Sequence, residues 1–179
     1  MRNSAFLAIG VGLLILQSNL FRLLGQLPAI GRIPGITPSL LLPLIVFMGV
    51  HEYSIARGAA LAFLLGYLLD LFAAAPVGLF TFITVATFIV SRAAGVRLAA
   101  QTFLTKIALA LVFALLEGVL VVVLTAIFGG DPARSRALAM LVAPHAASTA
   151  AIAPLVFALA ERVHGATIIL ARPGEGGAR

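Results

Sequence analysis

The sequence predicts an all-α polytopic membrane protein with six transmembrane helices packed in a compact bundle. Of its 179 residues, 62% are apolar and only 10% are charged, and the mean hydropathy is +1.17. An ordinary soluble domain is about 45–50% apolar and about 25% charged. Six spans of about 20 residues each would occupy most of the chain, so the composition excludes an attached soluble catalytic domain.

The net charge of the chain, +6 at pH 7 with an isoelectric point near 11.4, is typical of two classes of protein. Basic chains often bind nucleic acid, but in a membrane protein Lys and Arg mark the cytoplasmic loops and contact anionic lipid headgroups. We therefore expect a lipid bilayer around this chain and no nucleic acid partner. The sequence contains no cysteine, which excludes disulfides, thiolate nucleophiles and cysteine-ligated metals.

The first predicted span covers about residues 4–20, an uncharged apolar run that follows Arg2. A signal peptide would have a shorter apolar core and an Ala-x-Ala cleavage site after it, and no such site follows here. Glycine and proline then recur over residues 21–38, which we expect to form a structured outer loop near the membrane surface. Three hydrophobic residues of this loop are candidate contacts for a partner on the outer side: Ile30, Ile33 and Ile36.

The second span is predicted over residues 38–55, because Thr37 followed by Pro38 resembles a helix N-cap with proline at the first helical position. A helix of that length measures about 27 Å, which is enough to cross a membrane. Pro43 is expected to bend it. The other spans are predicted at residues 58–75, 78–92, 102–128 and 137–160, within a single helical domain of residues 1–164 that precedes a disordered cytoplasmic tail of residues 165–179.

The distribution of Lys and Arg predicts the orientation of the chain, because cytoplasmic loops carry more of them. Six spans with both termini in the cytoplasm place eight of the twelve basic residues inside and four outside. A five-span alternative, in which the second segment does not cross and the N-terminus lies outside, gives nine and three. The charge count leaves both open, and the helix-start signal at Thr37 and Pro38 favours six.

The third predicted helix carries one acidic residue, Asp70, and a carboxylate inside a membrane costs about 2.5–3.5 kcal/mol on insertion scales. We expect Asp70 to accept hydrogen bonds from free N–H groups at the start of the fourth helix, near Val77 and Gly78. A ligand or ion site is the alternative. Three small residues precede Asp70 at four-residue spacing on the same helix face and predict close helix packing: Gly58, Ala62 and Gly66. Pro76 and Gly78, in the turn that follows, are also candidate helix-packing residues.

Glu117, the second acidic residue within a predicted span, shares a helix face with Ala114 and lies beside Gly118. We therefore expect it to face other helices rather than lipid. Its simplest role is a hydrogen bond to the sixth helix, and a buried proton or partner switch is the alternative. The polar strip that could receive this bond has the spacing i, i+3, i+4: His145, Ser148 and Thr149.

No set of residues in the sequence is typical of an enzyme or of a metal or cofactor site. His145 and Ser148 lack a third orienting group, and no nucleophile elbow accompanies them. The histidines at 51, 145 and 164 lack a metal-ligand spacing such as H-E-x-x-H. Lys106 in the first turn of its span is expected to extend toward the cytoplasmic headgroups. We expect a non-enzymatic protein without a cofactor.

Residues 58–82 read GAALAFLLGYLLDLFAAAPVGLFTF. A Gly-x-x-x-Asp core is followed by a small-residue stretch and Pro-x-Gly, and this pattern resembles the central signature of the rod shape-determining protein MreD family. The residues that carry the resemblance are Gly66, Asp70, Pro76 and Gly78. The segment from Pro38 resembles the family's proline–leucine start of the second span, although an acidic residue is frequent where this chain has Ser39. Chain length and hydropathy profile also resemble the family over nearly the whole chain.

The resemblance implies a non-enzymatic scaffold subunit of the cell-elongation complex in the bacterial inner (cytoplasmic) membrane. Such a subunit would bind MreC and link the MreB cytoskeleton to peptidoglycan synthesis by RodA and its penicillin-binding protein partner. The family is also similar in fold to the substrate-binding (S-component) subunits of vitamin importers, which supplies an alternative function. A vitamin site needs aromatic platforms and convergent polar groups. The chain has no Trp and only two Tyr, so the scaffold is the favoured hypothesis.

Overall fold

The computed structural model describes residues 2–26, 37–51, 54–73, 77–94, 102–128 and 132–170, of which 2–3, 21–26, 132, 134 and 167–170 are described by their backbone alone. These residues form six α-helices and contain no strand. The prediction of an all-α chain is confirmed for this part of the protein. In chain order the helices are α1 (Arg2–Gln26), α2 (Leu41–His51), α3 (Ile55–Ala73), α4 (Leu79–Ala93), α5 (Phe103–Phe128) and α6 (Pro132–Leu170).

The short helix α2 forms the centre of the bundle. Every residue from Leu41 to Val50 is buried, and the helix packs against each of the other five. A helix that is apolar on all sides is stable only where other elements surround it. Around it, α3 pairs with α4 and α5 pairs with α6, while α1 packs against α2, α3 and α6.

The second helix is shorter than the predicted residues 38–55, because it begins at Leu41 and ends at His51. Ser39 rather than Thr37 caps it: the hydroxyl of Ser39 accepts a hydrogen bond of 3.3 Å from the N–H of Leu42. Pro43 therefore falls in the first turn, where backbone N–H groups have no partner within the helix. The expected bend at Pro43 thus loses its physical cause.

The two terminal helices are longer than predicted. α1 continues to Gln26, so residues 21–26 of the predicted outer loop are helical, and the first proline after them is Pro28. α6 starts at Pro132, a favoured residue at the first helical position, and continues to Leu170. Residues 165–170 of the predicted tail therefore belong to the helix, because no proline interrupts the chain there before Pro173.

Three helices of the described chain are long and apolar enough to cross a membrane. They are α3, α5 and the part of α6 from Ser135 to Ala166. Many large apolar side chains on these helices are exposed, as expected for surfaces that contact lipid. The other apolar helical segments are shorter: Ser4–Leu20, Leu41–His51 and Leu79–Ala93. These lengths and surfaces are compatible with a membrane protein.

Candidate functional site

The carboxylate of Asp70 holds the end of α3 to the start of α4. Its Oδ2 accepts hydrogen bonds from the N–H groups of Gly78 at 2.9 Å and Thr81 at 3.1 Å, and from the Thr81 hydroxyl at 2.6 Å. Its Oδ1 accepts a bond of 2.7 Å from the N–H of Phe80. These donors lie at the N-terminus of α4. The N–H groups there have no acceptor within their own helix, and this end of the helix carries a partial positive charge. The acceptor role predicted for Asp70 agrees with this geometry.

Gly78 explains why the cap of α4 comes from another helix. It is the N-cap residue, its φ is +99°, and it has no side chain that could cap the helix. Glycine adopts this left-handed conformation without a steric cost. Asp70, which is only 2% exposed, reaches over from α3 and supplies the missing acceptor. Pro76, the other predicted residue of this turn, lies outside the described residues.

The small residues of α3 (Gly58, Ala62 and Gly66, the α3 stripe) all face α4. A Cβ on Gly58 would collide with the ring of Phe88, and a Cβ on Gly66 would lie 2.7 Å from the Cα of Thr81. The carbonyl of Ala62 accepts a bond of 3.0 Å from the Thr84 hydroxyl. The α3 stripe is therefore used within the bundle and offers no surface to a partner.

A second set of polar contacts holds the segment that leads into α2. The N–H of Ser39 donates to the hydroxyl oxygen of Thr149 on α6 at 2.9 Å, and the N–H of Leu40 donates to Oε1 of Gln17 on α1 at 2.8 Å. Ser39 and Leu40 are buried and not helical, so their N–H groups need such partners. Two distant helices thus fix the position at which α2 begins.

Glu117 on α5 is 5% exposed and incompletely paired. Its Oε2 lies 3.9 Å from Nε2 of His145, which is too far for a hydrogen bond, and has no hydrogen-bond partner among the described residues. The predicted bond from Glu117 to the polar strip of α6 is therefore a longer contact to His145 alone. The hydroxyl of Ser148 donates to the carbonyl of His145 instead, and Thr149 is occupied by Ser39.

A cavity of about 270 Å³, partly open to the exterior, lies beside Glu117 (the Glu117 cavity). It is lined by the segment before α2 and by residues of α1, α3, α4, α5 and α6. Its polar lining residues are Gln17, Thr37, Ser39, Glu117 and His145. Its apolar lining residues are Leu69, Ala73, Phe80, Gly118, Val121, Val122, Leu138, Leu141 and Val142. An apolar space with a few converging polar groups is the usual form of a small-molecule site.

A smaller void of about 10 Å³ lies between Glu117 and Thr87 of α4. The Thr87 side chain is 1% exposed, and its hydroxyl also has no hydrogen-bond partner in the described part of the chain. Most buried polar atoms in folded proteins are paired. Two unpaired oxygens that line the same void therefore mark the surroundings of Glu117 as the least satisfied part of the described core.

A cluster of histidine and phenylalanine rings lies at the other end of α2. The ring of His51 stacks on Phe47 with 4.1 Å between centroids, and the rings of His51 and His164 lie 5.8 Å apart. No sequence pattern predicts this pair, because the two histidines are far apart along the chain and only the packing of α6 on α2 joins them. No group of three or more potential metal-ligating residues occurs among the described residues.

Lys106, which we expected to extend toward lipid headgroups, forms an ion pair instead. Its Nζ lies 2.6 Å from Oε1 of Glu161 on α6, and its side chain is only 15% exposed. The antiparallel packing of α5 on α6 brings the start of one helix to the later part of the other. The contact therefore closes one end of this helix pair.

A comparison of the chain with protein-family models, curated proteins and solved structures found no match. The candidate partner contacts Ile30, Ile33 and Ile36 lie outside the described residues. Asp70, Glu117 and His145 lie within them, and the fold brings the last two together but keeps Asp70 in its own hairpin.

Proposed function

We propose that this protein is a non-enzymatic scaffold subunit of the bacterial inner membrane, similar to the MreD proteins, that binds MreC in the cell-elongation complex. Through MreC it links the MreB cytoskeleton to RodA and its penicillin-binding protein partner. In the proposed arrangement, six helices cross the membrane and both termini lie in the cytoplasm.

The observation that supports this proposal most strongly is the hairpin of α3 and α4. Each described residue of the MreD-like pattern has its own contact role there: Gly66 permits close packing, Asp70 caps α4, and Gly78 adopts the left-handed turn. A resemblance that came from shared apolar composition alone would not assign a specific contact to each position of the pattern. The MreD-like pattern therefore corresponds to one structural unit, the hairpin of α3 and α4.

A six-span arrangement requires the short α2 to cross the membrane, and the segment before it makes this feasible. Eleven helical residues measure about 16 Å, and the four non-helical residues 37–40 add at most about 13 Å. The sum is close to the hydrocarbon thickness of about 30 Å. Non-helical backbone is tolerated at membrane depth where protein buries it. In this segment, the N–H of Ser39 donates a hydrogen bond to Thr149, and the N–H of Leu40 donates one to Gln17.

A partner helix could dock on α6. Ala143, Ala147 and Ala151 follow one another at four-residue spacing, and all three are exposed. Small residues in such a row let a second helix approach closely, and this row, unlike the α3 stripe, is not covered by the described part of the bundle. The outer loop with Ile30, Ile33 and Ile36 is the proposed contact for the part of MreC outside the membrane. Its alternative role is a lid that seals the bundle.

The second candidate function, a substrate-binding subunit of a vitamin importer, is favoured by one observation, the Glu117 cavity. Among the described residues, the lining of this cavity includes one phenylalanine, Phe80, and no tyrosine, while Tyr67 is 42% exposed on the outside of α3. A site without stacked aromatic rings is poorly suited to a vitamin ring system. The scaffold proposal is therefore the better supported of the two.

Co-purification with MreC from the same bacterium, in mild detergent, tests the proposal. We expect MreC to co-purify with the unaltered protein, and about tenfold lower recovery of MreC with Ala147→Phe, because the larger ring blocks close helix approach. Ala108→Phe is the matched control, since Ala108 is exposed on α5 away from this row. Exchange of Ile33 and Ile36 for Ser tests the outer loop in the same assay.

Two results of this assay would contradict the proposal. The first is the absence of MreC from the purified unaltered protein. The second is a vitamin-like compound bound at near-equal stoichiometry in its place, which would favour the importer function. Full retention of MreC by the Ile33 and Ile36 exchange would remove the loop from the interface but leave the scaffold proposal intact.

A further inference from the structure

Part of the apolar lining of the Glu117 cavity lies away from Glu117 and His145 along α5 and α6. α5 and α6 run antiparallel, since Gly118 lies against Val142 while Lys106, earlier in α5, pairs with Glu161, later in α6. Val121 and Leu138 are therefore near the α5–α6 connection, and Glu117 and His145 lie farther from it. The cavity thus has an apolar part and a polar end. This polarity matches a ligand with a chain and a small head group.

The chemistry of the polar end specifies the head group. Glu117 has an oxygen that lacks a hydrogen-bond donor, and His145 is too distant to provide one. The terminal torsion of a glutamate side chain is broad, so a small rotation turns either oxygen toward the cavity. A carboxylate or phosphate head group would bring only acceptors to Glu117, and an ammonium group would form a buried ion pair whose desolvation is costly. A hydroxyl both donates and accepts, and so pairs with Glu117 and His145 together.

The location of the cavity specifies the source of the ligand. Its walls include Glu117, Gly118, Val121 and Val122 of α5, a helix that is long and apolar enough to cross a membrane. The neighbouring Val119 and Val123 are exposed and apolar, so the cavity lies at the depth of the lipid chains. Its volume of about 270 Å³ is just below the usual range for small-molecule sites, about 300–1,000 Å³. It fits a head group and the first part of one chain.

From these observations we propose that the Glu117 cavity binds a single-chain membrane amphiphile with an alcohol head group. The hydroxyl pairs with the carboxyl of Glu117, and the chain lies along Val121, Leu138 and Leu141. This binding site goes beyond the scaffold function and does not depend on MreC.

A photoreactive probe tests the site directly. The full chain is placed in phosphatidylcholine nanodiscs with a ten-carbon primary alcohol that carries a diazirine at mid-chain, and mass spectrometry locates the label after illumination. We expect the label on Val121, Val122, Leu141 and Val142. Unlabelled 1-decanol should suppress the labelling about tenfold more effectively than decyl methyl ether, because the ether accepts a hydrogen bond but cannot donate one.

Three variants separate this site from general partitioning into lipid. Val121→Phe should fill the cavity and remove the label, whereas the same exchange at Val119, which is 52% exposed, should leave it unchanged. In Glu117→Leu, the alcohol and the ether should compete equally. Labelling that survives Val121→Phe, or an ether that competes as well as the alcohol against the unaltered protein, would overturn the proposal.

Discussion

The hydroxyl of Thr81 donates a hydrogen bond of 2.6 Å to Oδ2 of Asp70, and so joins the end of α3 to the first turn of α4. The same carboxylate also accepts hydrogen bonds from the N–H groups of Gly78, Phe80 and Thr81. One buried side chain therefore accepts hydrogen bonds from most of the free N–H groups at the start of α4, which has no side-chain cap of its own. This explains how an acidic residue can be retained in so apolar a helix.

Replacement of Asp70 should destabilise the protein in proportion to the acceptors that are lost. We expect Asp70→Leu to cost about 1–3 kcal/mol, because it leaves buried N–H groups unpaired. Asp70→Asn keeps one acceptor oxygen and should cost less. Thr81→Val removes a single donor and should also have a smaller effect. The measurement is the midpoint of thermal unfolding in detergent, and an unchanged midpoint for Asp70→Leu would disprove the structural role.

Gly66→Ala should separate α3 from α4. The added Cβ would lie 2.7 Å from the Cα of Thr81 and 2.9 Å from the carbonyl oxygen of Phe80, and backbone atoms cannot yield without movement of a helix. We expect a loss of about 1–3 kcal/mol from such overpacking, seen as a lower unfolding midpoint.

Gly12→Ala on α1 is the matched control for this exchange. Apart from its own helix backbone, no atom of the described residues lies within 4 Å of its added Cβ, and alanine favours a helix over glycine by about 0.5–1 kcal/mol. The control should therefore be neutral or slightly stabilising. Equal destabilisation by both exchanges would show that helix contact at Gly66 is not the cause.

Thr149→Val should loosen the start of α2, because it leaves the buried N–H of Ser39 without an acceptor. We expect a cost of about 1–3 kcal/mol and recovery with Thr149→Ser, which restores the hydroxyl. Ser148→Ala serves as the neighbouring control, since among the described residues the Ser148 hydroxyl bonds to the carbonyl of His145 within its own helix. Equal unfolding midpoints for Thr149→Val and Ser148→Ala would show that the hydrogen bond between Ser39 and Thr149 does not stabilise the protein.

Single cysteines should reveal the proposed six-span topology, and the absence of native cysteine makes their labelling unambiguous. With an impermeant thiol reagent on intact spheroplasts, we expect labelling at Gly35→Cys and none at Ala99→Cys or Gly177→Cys. The five-span alternative puts all three positions inside. No labelling at position 35, or labelling at either of the others, would refute the six-span arrangement.

The sequence predicted local features well. The described bounds of α3, α4 and α5 lie within three residues of the predicted spans, because turn residues punctuate this part of the chain. Asp70 and its partner Gly78 are eight residues apart, so the spacing of one hairpin is enough to bring them together. Composition alone was sufficient for the all-α class.

Features that depend on tertiary packing could not be predicted in the same way. The contact of Ser39 with Thr149 joins positions 110 residues apart, and His51 meets His164 only through the packing of α6 on α2. Thr37 and Ser39 are both good N-cap residues, so the sequence could not choose between two starts of α2. The cavity beside Glu117 is lined by five helices and the segment before α2, and no periodicity of the sequence encodes such a combination.

Depletion of the protein in its own bacterium tests the central proposal most directly, with cell shape followed by light microscopy as the protein level falls. A scaffold of the elongation complex is required for growth along the cell axis, so we predict that the cells lose their elongated form and become round. Re-expression of the unaltered chain should restore elongated cells, whereas Ala147→Phe should not. Cells that keep their shape and width after complete depletion would contradict the proposed function.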